Sequence, residues 1–229
     1  MQCPSCHSSE LRKNGHHRGK QRYQCKSCGR QTLESYSLRG YSSDVKRQCL
    51  EAYLNQMGFR AIERHHKVHH TTVIQWVKEA GEQLPHAPSL EESPDVAQLD
   101  ELQTFVGSKK NKVWLWTAVD KAKAGIWAWT LGDRSSQTFR VLWPQVQAWD
   151  SFWYVTDGLK VYPKFIQAIR HVVSKPHMTR VEGENSRLRH YLARLNRRTF
   201  CYSKSLEMLG YSIRLLVHYL HSGLVYVPA

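Results

Sequence analysis

Three acidic side chains in separate local settings carry the most chemistry in this sequence. They are Asp100 in Val-Ala-Gln-Leu-Asp-Glu-Leu, Asp157 in Tyr-Val-Thr-Asp-Gly, and Glu182 in Arg-Val-Glu-Gly-Glu-Asn. Two sit at or near strand-like runs and the third in a helix-like run. Carboxylate oxygens are the hard ligands that Mg2+ prefers, and a pair of such ions can clamp the attacking and leaving oxygens of a phosphoryl displacement. Taken singly, each acid has a plain structural use: a strand-edge charge, the start of an Asp-Gly turn, and a carboxylate on a helix N-terminus. Glu184, two residues after Glu182, competes for the third position. Asp120 and Asp133 sit at strand ends beside turns and read as structural.

The remainder of the 229-residue chain favours a polyanionic partner. Thirty-three Lys and Arg against nineteen Asp and Glu give a formal net charge of +14, a field that draws nucleic acid. No apolar run approaches the ~20 residues needed to span a bilayer, and the first residues lack the apolar stretch of a signal peptide. The chain therefore reads as cytoplasmic, with no membrane partner.

Four of the six cysteines fall in two C-x2-C pairs, Cys3/Cys6 and Cys25/Cys28. Each pair on a tight turn can take two corners of a tetrahedron, so one structural Zn2+ is expected, holding a short strand pair across residues 1–35. Cys3 to His7 also spells the haem attachment pattern C-x-x-C-H, but haem would leave Cys25 and Cys28 unexplained. Cys49 and Cys201 stand alone and read as small buried hydrophobes.

Residues 40–83 carry a helical pattern in three parts. Ser42-Ser43-Asp44 starts a first helix, Gly58 interrupts the pattern, Phe59 to Ile62 opens a second, and Lys67-Val68-His69 makes the turn into a third. Ile62, Val68, Val73, Trp76 and Val77 can seal a small core, leaving His70, Thr71, Thr72, Gln75 and Lys78 facing outward. That is a helix-turn-helix, whose third helix can enter a DNA major groove. The histidines around the turn, His65, His66, His69 and His70, read as exposed or phosphate-facing side chains rather than as metal ligands. Residues 84–95, with Pro85, Pro88 and Pro94, read as a linker.

From residue 96 to 229 the texture is α/β. Strands are expected at 99–106, 113–119 and 125–130 as an antiparallel meander, then a helix through Phe139, Leu142, Val146 and Trp149, with Pro144 a candidate to kink or shorten it. A fourth strand at 152–156 delivers Asp157 at its carboxyl end, and 171–173 adds a fifth. A helix over 180–195 carries Glu182 in its first turn. A last amphipathic helix spans 205–220.

This order of strands and acids resembles the ribonuclease-H-like fold of transposases and integrases. Leu99-Asp100-Glu101-Leu102 with Phe105 to Lys110, Thr156-Asp157-Gly158, Arg180-Val181-Glu182 with Asn185, and Leu192 to Leu195 are similar to the transposases of the insertion sequence one family. So are the zinc knuckle and the helix-turn-helix, so that the resemblance covers nearly the whole chain.

The resemblance implies a DDE transposase with Asp100, Asp157 and Glu182 as catalytic ligands of two Mg2+ (or Mn2+) ions. Such an enzyme binds the terminal inverted repeats of its element, cleaves strands, and joins the freed 3′ hydroxyl to target DNA. Double-stranded DNA is then the partner, and the need to act on two ends implies a homodimer or larger assembly. Lys109, Lys110, Arg187, Arg189, Arg194, Arg197 and Arg198 are the candidate phosphate contacts. The other reading is a non-catalytic, zinc-containing DNA-binding transcriptional regulator.

Overall fold

The computed structural model describes residues 1–35, 40–89 and 92–228. Two compact units divide the chain, Met1–Tyr41 and Ser42–Ala229. In the first, β1 (Leu11–His17), β2 (Lys20–Cys25) and β3 (Gln31–Leu33) form an antiparallel three-stranded sheet, one strand more than the expected pair. Three of its described residues are buried, Cys3, Cys25 and Thr32. So small an apolar interior offsets little of the chain entropy lost on folding.

The second unit begins with three helices, α1 (Ser43–Leu54), α2 (Phe59–His66) and α3 (His70–Gln83). Ser42 caps α1 by accepting from the Val45 N–H. Helix α2 ends on Lys67 in the left-handed conformation, and His69 caps α3. Ile62, Val68, Val73, Trp76 and Val77 are all buried, as the spacing requires.

The central sheet has the order β6-β5-β4-β7-β8, built from β4 (Val96–Phe105), β5 (Lys112–Asp120), β6 (Ala128–Gly132), β7 (Trp153–Thr156) and β8 (His171–Val173). The first three pair antiparallel; β7 pairs parallel to β4 and β8 parallel to β7. The sheet is therefore mixed, with β4 at its centre. The third strand starts later than expected, because Gly125 at φ +111° and its anchored loop occupy residues 121–127.

Alternation along β4 splits the interior in two. Ala97 and Leu99 pack with Trp116, Phe139, Leu142, Val146 and Tyr162, beneath α4 (Ser136–Gln147). Leu102 belongs to a larger core with Val181 and Leu188 of α5 (Thr179–Tyr191) and Leu209, Ile213 and Leu216 of α6 (Leu206–Ser222). That larger core continues into Leu50, Ile62, Val73 and Val77, so α1–α3 share an apolar interior with the sheet. Pro144 sits inside α4, which runs three residues past it.

Three expectations are corrected by packing. The proline-rich stretch before β4 is fastened down: Leu84 is buried, the His86 carbonyl accepts from Trp129 Nε1 at 2.8 Å, and the two rings stack at 4.1 Å. Helix α5 stops at Tyr191 rather than 195, because Gln56 donates to the Arg189 and His190 carbonyls, and its N–H to Tyr191, satisfying the free end of the helix. Cys201 is exposed, its sulfur lying against Gly58, whereas Cys49 is buried.

Helices α3 and α6 meet at Gly81, where an added Cβ would fall 2.5 Å from Tyr211 Cβ and 2.7 Å from its Cα. Backbone atoms cannot step aside as a flexible side chain can. Gly81→Ala is expected to lower stability by about 1–3 kcal/mol, although alanine is the better helix former by about 1 kcal/mol. Urea unfolding of the two proteins checks it.

Candidate active site

The register of the central sheet brings two of the sequence's acids together. Gln98 of β4 pairs with Val155 of β7 in parallel, so two residues further along each strand Asp100 and Asp157 stand level on neighbouring chains. Adjacent strands run about 4.8 Å apart. Asp157 lies one residue beyond β7, where its Oδ1 accepts from the Leu159 N–H at 2.8 Å and fixes the turn.

Helix α5 is moored over this point by a buried polar side chain. Gln98 donates to the His177 carbonyl at 2.7 Å and accepts from the Val181 N–H at 3.0 Å. Two residues along the same strand face, Asp100 Oδ2 accepts from Asn185 Nδ2 at 2.9 Å. Asn185 Oδ1 in turn accepts from Thr117 Oγ1 at 3.0 Å, which fixes the amide's orientation. Glu182 lies one helical turn before Asn185 and is exposed on the same side of α5.

The electrostatics of the three acids are coupled. Burial pushes the Asp100 carboxyl above its ordinary 3.8; the Glu101 backbone N–H and Asn185 pull it down, while the charges of Asp157 and Glu182 push it further up. Glu184 is a different case. Its side chain is 2% exposed, accepts from the Gly125 N–H at 3.0 Å and forms an ion pair with Arg187 at 2.9 Å. Those bonds make it an anchor for the loop before β6.

On the opposite face of β4, Glu101 is buried with two partners. Arg134 Nε donates to its Oε1 at 2.8 Å and the Tyr162 hydroxyl to its Oε2 at 2.8 Å. Burial raises the Glu101 carboxyl despite both bonds. Arg134 also stacks on Trp114 at 4.7 Å and comes within 4.0 Å of Asp157 Oδ2. The sequence reading passed over Arg134, Gln98 and Thr117. Gln98 carried a signal, a polar residue between Ala97 and Leu99 and two before Asp100; Arg134 carried none.

The candidate phosphate contacts separate into groups. Lys109, Arg189 and Arg197 line one depression of about 550 Å³ together with Glu101, Gln103 and Trp114. Lys110 and Arg198 are exposed. Arg187 is held by Glu184 in another depression, with Lys121 and Arg180. Arg194 is corrected: it is 6% exposed, donates to Ser203 Oγ at 2.9 Å, and lies over the Tyr53 and Phe59 rings at 5.2 and 5.1 Å. Its charge is spent in the interior. On α3, Thr71 and Gln75 are exposed, Thr72 half-buried, Lys78 pairs with Glu82 at 3.8 Å, and His70 is turned inward onto Glu63 at 2.8 Å.

In the amino-terminal unit the four expected cysteines meet. Cys3 and Cys28 sulfurs lie 3.5 Å apart, Cys6 and Cys25 3.6 Å, and all four within 4.8 Å of one another. A tetrahedron with Zn–S of about 2.3 Å has edges of about 3.8 Å, so the donor set fits zinc. The knuckle backbones favour thiolate: the N–H groups of Cys6 and Ser5 lower the Cys3 thiol, and that of Cys28 is the largest influence bringing Cys25 down to about 6. Among the described residues, Asp100, Asp157 and Glu182 do not draw one oxygen each into so tight a group. No helix of the described residues is long and apolar enough to cross a membrane.

The stretch that carries this sheet and its acids is similar to known sequences. The family model described as IS1 transposase matches residues 95–223. The chain belongs to the IS1 transposase family. It is 33% identical over 125 residues to the insertion element IS1 protein InsB of Shigella flexneri and of Shigella sonnei, covering 55% of this chain and 93% of each relative. The same identity holds to the insertion element IS1 1 protein InsB of Escherichia coli (strain K12), there covering 73% of the relative.

A carboxyl raised above its unfolded value costs stability when ionised. For Asp100 the folded value lies above 3.8, so the cost is full at pH values above the folded pKa. It vanishes as the pH falls below 3.8, where both states are protonated. Asp100→Asn is therefore expected to raise the melting temperature at pH 7 without divalent ions, with the difference closing towards pH 3. Calorimetry at several pH values, in chelator, checks it.

Proposed function

We propose that this chain is the transposase of an insertion sequence. It binds the terminal inverted repeats and catalyses metal-dependent strand cleavage and strand transfer into target DNA. The observation that carries the reading is Asp100 on the central strand, level with Asp157, electrostatically coupled to Glu182 and held by Asn185. Family membership supports transposition as the setting. The strand order, three antiparallel strands followed by two parallel ones, supports a ribonuclease-H-like core over 96–229.

Asp100, Asp157 and Glu182 are the proposed catalytic residues and the ligands of two Mg2+ (or Mn2+) ions. Bound there, the ions supply Lewis-acid activation of water and neutralise charge at the attacked phosphate. Asn185 keeps one Asp100 oxygen turned toward α5. Arg134, shared between Glu101 and Asp157, holds Asp157 beside the centre. Lys109, Arg189 and Arg197 would receive the DNA backbone next to it, with Lys110 and Arg198 as outer phosphate contacts.

Residues 40–83 are proposed as a helix-turn-helix, with Thr71 and Gln75 of α3 exposed to read base edges, Thr72 and Lys78 flanking them, and residues 84–95 joining it to the core. Residues 1–35 are proposed as a ribbon around one structural Zn2+. A homodimer or larger assembly would bring two element ends together, in the cytoplasm where the DNA lies.

The test is incubation of the full chain with labelled element-end DNA and Mg2+. Asp100→Asn, Asp157→Asn and Glu182→Gln should each keep end binding and lose more than about 100-fold in nicking, beyond what an outer partner of a metal ligand costs. Glu184→Gln should lower stability and leave the nicking rate of the folded protein within a few-fold. Loss of cleavage in Glu184→Gln with Glu182→Gln active would overturn the choice of third acid. Full cleavage by Asp100→Asn would overturn the reading in favour of a DNA-binding regulator.

A further inference from the structure

The turn between α2 and α3 gathers a second set of metal-ligating atoms, remote in chemistry from both the thiolates and the three acids. Glu63, from the second turn of α2, and His69 and His70, at the start of α3, each bring one donor atom within 4.8 Å of the other two. His70 Nδ1 lies 2.8 Å from Glu63 Oε2, and His69 Nε2 lies 3.7 Å from Glu63 Oε1. We propose that Glu63, His69 and His70 form a site for a borderline divalent cation of the Zn2+ class, which ties α2 to α3 across the turn.

The geometry needs little adjustment. Tetrahedral zinc with Zn–N and Zn–O of about 2.0–2.1 Å has ligand–ligand edges of about 3.3–3.4 Å, between the two separations found. The turn is fixed from both sides, by Lys67 in the left-handed conformation and by Val68, which is buried. The two histidines are thus placed by the backbone rather than by free side-chain rotation.

A separate contact orients the His69 ring. Its Nδ1 lies 2.7 Å from Thr71 Oγ1. The same nitrogen accepts from the Thr71 N–H at 3.4 Å as the cap of α3, and the two contacts hold the ring with Nε2 towards Glu63. Glu63 is poised as well: its bond to His70 is the largest influence lowering its carboxyl, so it is an anion at neutral pH.

Binding balances simply. The cation takes the place of the proton on His70 Nδ1, which passes through solvent to Nε2 of the same ring, so that both imidazoles coordinate as neutral ligands. Two neutral histidines and one carboxylate leave a net single positive charge on the occupied site. Three protein ligands leave the fourth position to water, so the ion exchanges more readily than one enclosed by four thiolates. The sequence alone showed the histidines and gave no reason to join Glu63 to them; the packing of α2 on α3 supplies it.

Calorimetric titration of the full chain with Zn2+, after one equivalent has filled the thiolate site, tests the proposal. The expected result is a second event of one ion per chain, weakened more than about 100-fold by Glu63→Gln and by His69→Ala, and unchanged by His65→Ala. Glu63→Gln keeps the shape and a hydrogen bond to His70, and far-ultraviolet circular dichroism verifies that both variants are folded. A titration that ends at one equivalent would overturn the proposal. So would a second event that survives both variants, or one that His65→Ala removes equally.

Discussion

The constraint on which this molecule turns is a charge held in the wrong place. Asp100 sits on the central strand under a helix, where burial and two neighbouring carboxylates oppose its ionisation. A protein selected for stability alone would place an amide or an apolar side chain there. Instead, Gln98 bonds to the backbone at the start of α5 while Thr117 and Asn185 form a chain of hydrogen bonds to the acid, and together they fix α5 over the strand. Opposed carboxylates without enough internal cations are a site that divalent metal would relieve.

The same strand separates two treatments of buried acid. Glu101, one residue on and facing the other way, is paired with Arg134 and Tyr162. Glu184, two residues after Glu182, is compensated by Arg187 and a backbone N–H. Against those two, half-buried Asp100 forms no ion pair of 4.0 Å or less among the described residues. Arg134 is the link between faces, since it neutralises Glu101 and also approaches Asp157.

Much of this was legible in the sequence wherever periodicity and spacing do the work. Alternation located β4 and β5, the stripe of Leu209, Ile213 and Leu216 located α6, and the C-x2-C pairs foretold the cysteine cluster. What failed depended on partners distant in sequence. Arg194 looked like one more phosphate contact in a basic run, yet Tyr53 and Phe59, some 140 residues earlier, offer it an aromatic bed. Helix α5 ends early because Gln56 caps it, and the proline-rich stretch is fastened by Trp129. Glu184 likewise finds a partner, the Gly125 N–H, far from it in sequence.

The central claim is that Asp100, Asp157 and Glu182 together hold divalent metal against DNA. Anomalous scattering from Mn2+ in crystals of the full chain bound to element-end DNA tests it most directly. The account predicts manganese peaks within bonding distance of carboxylate oxygens from all three residues. Manganese elsewhere in the core, coordinated by Glu184 or by none of the three, would contradict it.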